Sequence, residues 1–114
     1  MELAVHDLDS GILGINLSGR MDITGTRQID LKFTALTATR KAQILVDLSM
    51  VTFIASIGIR TLISNAKAQK ARGGCMVLYK PSDQVEQVLR ATGIGALIPI
   101  AHDIETARGA FGTA

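Results

Sequence analysis

Tryptophan is absent, and one tyrosine and three phenylalanines are the only aromatics among 114 residues. There are also only one cysteine, two prolines and two histidines. A single cysteine excludes an internal disulfide. Cys75 lies in the apolar run Cys75-Met76-Val77-Leu78-Tyr79 and reads as a buried thiol. His6 and His102 belong to no H-x-x-x-H pattern, and no C-x-x-C or paired-carboxylate motif occurs, so no metal site is expected. There is no Walker sequence. Gly93-Ile94-Gly95 is too short for a dinucleotide loop and reads as a helix stop, which leaves no expected cofactor. No apolar run approaches the ~18 residues of a membrane span. Met1-Glu2-Leu3-Ala4-Val5-His6-Asp7 has no basic start followed by an apolar stretch. No signal peptide or direct membrane insertion is therefore expected, and the cytoplasm is the expected location. The net charge is only +2, and lysine and arginine are not interleaved with aromatics, so nucleic acid is not an expected partner despite a pI near 9.

What is present suits one folded domain over residues 1–114. Hydrophobic residues make up 47% and charged residues 19%, scattered rather than in blocks. Glu2–His6 and Gly11–Leu17 read as a hairpin around the turn Asp7-Leu8-Asp9-Ser10-Gly11. Ile29, Phe33 and Leu36 give a helical stripe from Thr24 to about Thr39, with Thr24 or Thr26 as its cap. Ile44–Leu48 reads as a strand buried on both faces. A helix over Ser56–Arg72 follows, with Ile59, Leu62, Ile63 and Ala66 inward and Gly73-Gly74 as its stop. Cys75–Tyr79 is the next buried strand. Asp83 with Glu86 resembles a capping box for a helix with Val85, Val88 and Leu89 inward. Leu97–Ile100, holding Pro99, is expected as a short edge strand. Asp103 caps a last helix with Ile104, Ala107 and Phe111 inward. The order β-β-α-β-α-β-α-β-α predicts an α/β domain, with a mainly parallel sheet, an N-terminal antiparallel hairpin and about four helices.

Ser56 is the residue whose position most suggests chemistry. It stands at a strand-to-helix turn, as a hydrolase nucleophile does, but Ile54 occupies the glycine position of the G-x-S-x-G elbow and no base lies nearby in sequence. An enzyme is not expected. The ordinary role of such a serine is an N-cap, its hydroxyl accepting a bond from a first-turn amide. A helix start also tolerates a phosphate, which would add about −1.5 to −2 charge to that surface.

Three stretches resemble the STAS family of anti-sigma-factor antagonists. Val46-Asp47-Leu48-Ser49-Met50-Val51-Thr52-Phe53-Ile54-Ala55-Ser56-Ile57-Gly58-Ile59 is similar to its signature, a strand ending Asp-Leu-Ser followed by Asp-Ser-Ser-Gly-Leu at a helix start. Leu17-Ser18-Gly19-Arg20-Met21-Asp22 resembles its Leu-x-Gly-x-Leu-Asp, and Val85–Ile94 its late helix and glycine stop. The resemblance implies a cytoplasmic regulator whose partner is an anti-sigma factor with serine kinase activity. That partner would phosphorylate Ser56, and the modified form would let go, so the chain would regulate sigma-factor-dependent transcription. Asp22, Ser56, Ile57, Gly58 and Arg60 form the implied partner surface, with Gly58 allowing close approach of a partner backbone. Asp22 equally reads as a turn residue capping the first helix, and Arg60 as a solvated arginine. The chain departs from the family pattern at Ala55, where an aspartate is usual, at Ile57, where a second serine is usual, and at Arg60, where a small residue is usual. The alternative is a constitutive STAS adaptor in a stress-signalling or membrane-transporter complex.

Overall fold

The computed structural model describes residues 1–8 and 11–112. Five strands form one sheet: β1 (Glu2–Asp7), β2 (Ile12–Met21), β3 (Gln43–Ile54), β4 (Cys75–Tyr79) and β5 (Ile100–Ala101). The spatial order is β1-β2-β3-β4-β5, with β1 antiparallel to β2 and the remaining pairs parallel. The helices are α1 (Ile23–Thr37), α2 (Ser56–Ala71), α3 (Asp83–Ala91) and α4 (Ile104–Gly112), with a 3-10 turn at Ile94–Ala96. The hairpin turn expected over Asp7–Gly11 includes Asp9 and Ser10, which lie outside the described residues. Among the described residues no helix is long and apolar enough to cross a membrane.

The two faces of the sheet are covered unequally. Phe33 of α1, Leu62 of α2 and Leu89 of α3 are fully buried in one cluster with Ile15, Ile44 and Leu78 of the sheet. Ala107 and Phe111 of α4 close the other face over Ile12, Leu45 and Val77. The central strands are thus buried on both sides, which is why they read as unbroken apolar runs. Tight packing also explains a buried amide: Gln69 Nε2 donates to the carbonyls of Thr37 and Arg40 at 2.7 and 2.5 Å, and its Oε1 accepts from Ala42 N–H at 2.9 Å. One side chain on α2 thereby satisfies three backbone groups of the α1–β3 connection. Gly74 leaves room for it, since a Cβ there would lie 2.1 Å from Gln69 Oε1.

Several boundaries differ from expectation. Of the residues read as caps of α1, it is Asp22 and neither Thr24 nor Thr26 that holds the extended backbone of a cap and accepts from Gly25 N–H. α3 is capped by Ser82, which accepts from Val85 N–H; Glu86 turns instead to Arg90 and His102. Val88 and Ile104, expected inward, are exposed. β5 starts at Ile100 rather than Leu97, since Ile98 N–H is closed back on Ile94 O at 2.8 Å. β3 is the largest departure: it continues six residues past Leu48, to Ile54.

Candidate functional site

β2 and β3 end side by side, with Met21 opposite Ile54. Ala55 N–H donates to Met21 O at 3.0 Å. The two chains therefore leave the sheet together, β2 into Asp22 and α1, β3 into Ser56 and α2. Two helix N-termini meet at the carboxyl end of neighbouring parallel strands, where free amides and partial positive charge converge.

The extra length of β3 is what delivers Ser56 to this place. Asp47 Oδ1 accepts from Ser49 N–H at 2.8 Å, which supports a break in register between the Asn16–Asp47 and Ser18–Met50 pairs. A second irregularity separates the Gly19–Val51 and Arg20–Phe53 pairs. With these insertions, Leu48, Val51 and Ile54 point inward at every third residue, and the residues between them face out. Met50 is 67% exposed and Phe53 39%. The Arg20 guanidinium lies 4.4 Å from the centre of the Phe53 ring, a contact that contributes ~0.5–1 kcal/mol at an exposed site.

Each expected site residue has a definite place. Asp22 Oδ1 caps α1 through Gly25 N–H at 2.7 Å, and its other oxygen lies 3.6 Å from Arg20 Nε. The amide bond from Gly25 holds the Asp22 carboxyl below its ordinary value, and Arg20 acts in the same direction. The capping reading of Asp22 therefore describes its geometry, and its half-exposed position leaves it at the surface as well. Ser56 is exposed at the first position of α2. It is not the N-cap expected from sequence. That position belongs to Ala55, at φ −99° and ψ 172°, with no side-chain bond to the helix. The Ser56 hydroxyl is accordingly not engaged in capping. Ile57 is half-buried and lines a polar groove between α1 and α2 together with Asp30, Thr34 and Arg60. Arg60 is exposed there, one turn beyond Ser56.

Gly58 has a packing role whatever approaches it from outside. It is buried, and a Cβ would lie 2.7 Å from Met21 Cγ and 3.1 Å from Ile54 Cγ1. Its missing side chain lets α2 sit down on the ends of β2 and β3, a packing requirement of the interior.

The structure thus brings Asp22 and Ser56 to either side of the Met21–Ala55 bond, with Arg20 and Phe53 beside them. Arg20, Phe53 and Met50 were not legible as site residues, because the signal for an exposed strand face was obscured by the broken alternation. Asp47 had a weak local signal, an aspartate two residues before a serine amide, as in an Asx turn. No histidine lies on the converging elements: His6 is on β1, beyond β2, and His102 follows β5 at the far side of the sheet. Among the described residues no three His, Cys, Asp or Glu side chains are placed to hold a metal ion. Chemically, the site offers an exposed hydroxyl at a helix start, set in a surface of mixed apolar and charged groups.

Residues 5–107 match the family model described as the STAS domain. A Bordetella bronchiseptica protein named as an anti-sigma factor antagonist, BtrV, is 27% identical over 114 residues, which covers 100% of this chain and 97% of that one. Among solved structures, an anti-sigma factor antagonist from Mycobacterium paratuberculosis superposes with a TM-score of 0.85 at 21% identity, over 97% of this chain and 93% of that one. The anti-sigma factor antagonist SpoIIAA in its unphosphorylated form gives 0.72 at 21% identity, over 95% and 97%. The Bacillus cell fate determinant SpoIIAA in its phosphorylated form gives 0.66 at 19%, over 95% and 98%.

Proposed function

The chain belongs to the STAS domain family, and from that premise we propose that it is an anti-sigma-factor antagonist that docks on an anti-sigma factor through the surface around Ser56. The anti-sigma factor acts as a serine kinase on Ser56, and the phosphorylated chain releases it. The observation that carries this reading is the exposed hydroxyl of Ser56 at the start of α2, not engaged in capping, one residue past the Ala55–Met21 bond that leads on the other strand to Asp22. The name of the Bordetella relative and the two phosphorylation states of SpoIIAA support it.

The switch follows from charge. A phosphate on Ser56 adds about −1.5 to −2 charge. In the free protein the start of α2 stabilises it by ~0.3–1 kcal/mol, since that turn holds no acidic residue. Carried into an interface, the same dianion must be desolvated, at several kcal/mol per ion unless a partner cation meets it. Each ~1.4 kcal/mol is tenfold in affinity, so even partial desolvation releases the partner. Nothing in this scheme asks the chain to catalyse a reaction.

The test uses an anti-sigma kinase from the same host with ATP, followed by mapping of the modified residue. Phosphate on Ser56, absent from Ser49, Ser64 and Ser82 and lost in Ser56→Ala, is the expected result. Ser56→Glu binds the kinase at least about tenfold more weakly than Ser56→Ala in calorimetry. Equal binding by the two variants, with no phosphate on Ser56, replaces the switch with a constitutive adaptor, a reading that Ala55 and Ile57 beside Ser56 would then explain.

A further inference from the structure

β4 has neighbours of unequal length. β3 pairs with all of it, from Gln43–Cys75 to Asp47–Tyr79, whereas β5 reaches only Leu78 and Tyr79. The amides alternate sides. Cys75 N–H donates to Ala42 O on the β3 side, and Leu78 and Lys80 N–H donate to Pro99 O and Ala101 O on the β5 side. By the two-residue period of a strand, the N–H and C=O of Met76 also face the β5 side. The chain satisfies neither there: continuing the register places Pro99 against the Met76 carbonyl, but proline has no N–H to donate, and the residues before it are held in the turn that bonds Ile98 N–H to Ile94 O. Among the described residues the Met76 carbonyl meets only the Cys75 thiol, at 3.9 Å, and its N–H meets no acceptor. Met76 is 3% exposed. A peptide unit so placed needs both a donor and an acceptor.

Beside it lies a cleft of about 680 Å³ between α2 and the 3-10 turn. Ile63 and Ala66 on one side, and Leu97 and Pro99 on the other, form apolar walls. Lys67 and Lys70, one turn apart on α2, supply its charge, and no acidic residue is among the described lining. Leu97 is 55% exposed here, an apolar side chain with little cover.

We propose that this cleft is a second docking site, which takes an extended segment of a partner protein, apolar residues alternating with acidic ones, as an added strand on β4. Backbone pairing with Met76 gives the donor and acceptor together; alternate side chains then enter the apolar walls and present carboxylates to Lys67 and Lys70. A fatty carboxylate fits the walls and the lysines but brings no donor for the Met76 carbonyl, so the backbone favours a peptide. The site lies at the amino end of the parallel strands, whereas Ser56 lies at their carboxyl end. A partner segment held here stays bound whatever the state of Ser56, and it makes re-engagement at the Ser56 surface an intramolecular event.

The test is a titration of the isotope-labelled full chain with a pool of capped hexapeptides in which Val, Leu or Ile alternates with Glu. At about millimolar peptide the Met76 amide resonance moves, and its hydrogen exchange slows at least about tenfold. Leu97→Arg and the double variant Lys67→Glu, Lys70→Glu alter exposed residues, and each weakens binding at least about tenfold. Ser56→Glu binds the pool as the parent does, which separates this site from the one around Ser56. A Met76 amide unmoved by the whole pool overturns the proposal. So does equal binding by a pool N-methylated at alternate residues, or a response at Met76 to decanoate alone.

Discussion

Ala55 occupies the cap of α2 with nothing to cap it, and α1 supplies the template for what is missing. In α1 the cap Asp22 bonds the amide of Gly25, three residues on, at 2.7 Å. In α2 the corresponding residues are Ala55 and Gly58, and Ala55 already holds the extended backbone of a cap. Ala55→Asp should therefore accept from Gly58 N–H without moving the chain. Replacing alanine by aspartate at a cap contributes ~0.5–2 kcal/mol. A carboxylate in a first turn that now has no acidic residue adds ~0.3–1 kcal/mol. The expected gain is about 1.5 kcal/mol, or about 5–8 °C in Tm for a domain of this size. It should appear as a higher urea midpoint at unchanged m-value. Ala55→Asn separates the two parts, since it caps without charge; it should give about 1 kcal/mol and be insensitive to salt. The sign with pH is also determined. A capping carboxylate has a folded pKa below its unfolded value of about 3.9, so the gain is present above that value and disappears as pH falls through the folded one. If Ala55→Asp is no more stable than the parent at pH 7, the assignment of Ala55 as the cap of α2 is wrong.

Gly58→Leu places carbon within 3 Å of Met21 and should destabilise by at least ~3 kcal/mol in urea melts, more than the ~1–3 kcal/mol of ordinary overpacking, with partial rescue by Met21→Ala; a variant as stable as the parent that still fails to bind would return Gly58 to the partner surface. Gln69→Leu strands two carbonyls and one amide in the α1–β3 connection and should cost about 2–4 kcal/mol, with the loss of exchange protection concentrated at Ala42; unchanged stability refutes the bridging role. The Asp22, Glu86 and Asp103 carboxyls are all held low, chiefly by Gly25 N–H, by Arg90 and by Thr106 N–H respectively. Their stabilisation is full above the unfolded carboxylate range and is lost as pH falls through the folded values. The deficit of Asp22→Asn relative to the parent should accordingly shrink between pH 6 and pH 3, and a deficit that grows would reverse the sign of the argument.

The alternation of apolar runs with helical stripes was enough to order nine elements and to predict a mainly parallel sheet, because each of those signals is complete within one strand or a few helical turns. The Ser56 neighbourhood was legible for the same reason, as a strand-to-helix junction in a recognisable motif. What sequence could not reach were features decided by residues far apart in the chain. β3 was cut short at Leu48 because its second half buries every third residue, a pattern created by its irregular pairing with β2. For α1 the sequence offered Asp22, Thr24 and Thr26 without deciding among them, and the caps of α2 and α3 fell one residue earlier than expected, since the cap is whichever residue holds the extended backbone where the chain leaves the sheet. For α2 that point is set by Ala55 bonding to Met21, thirty-four residues earlier. Sequence could not decide whether Gly58 serves packing, because Met21 and Ile54, on which it packs, are not its helical neighbours. Met76 looked like one more buried strand residue; that its outer edge lacks a partner depends on where β5 begins. Local propensity acts over a few residues, whereas cap positions, strand register and free edges are settled only when the strands find one another.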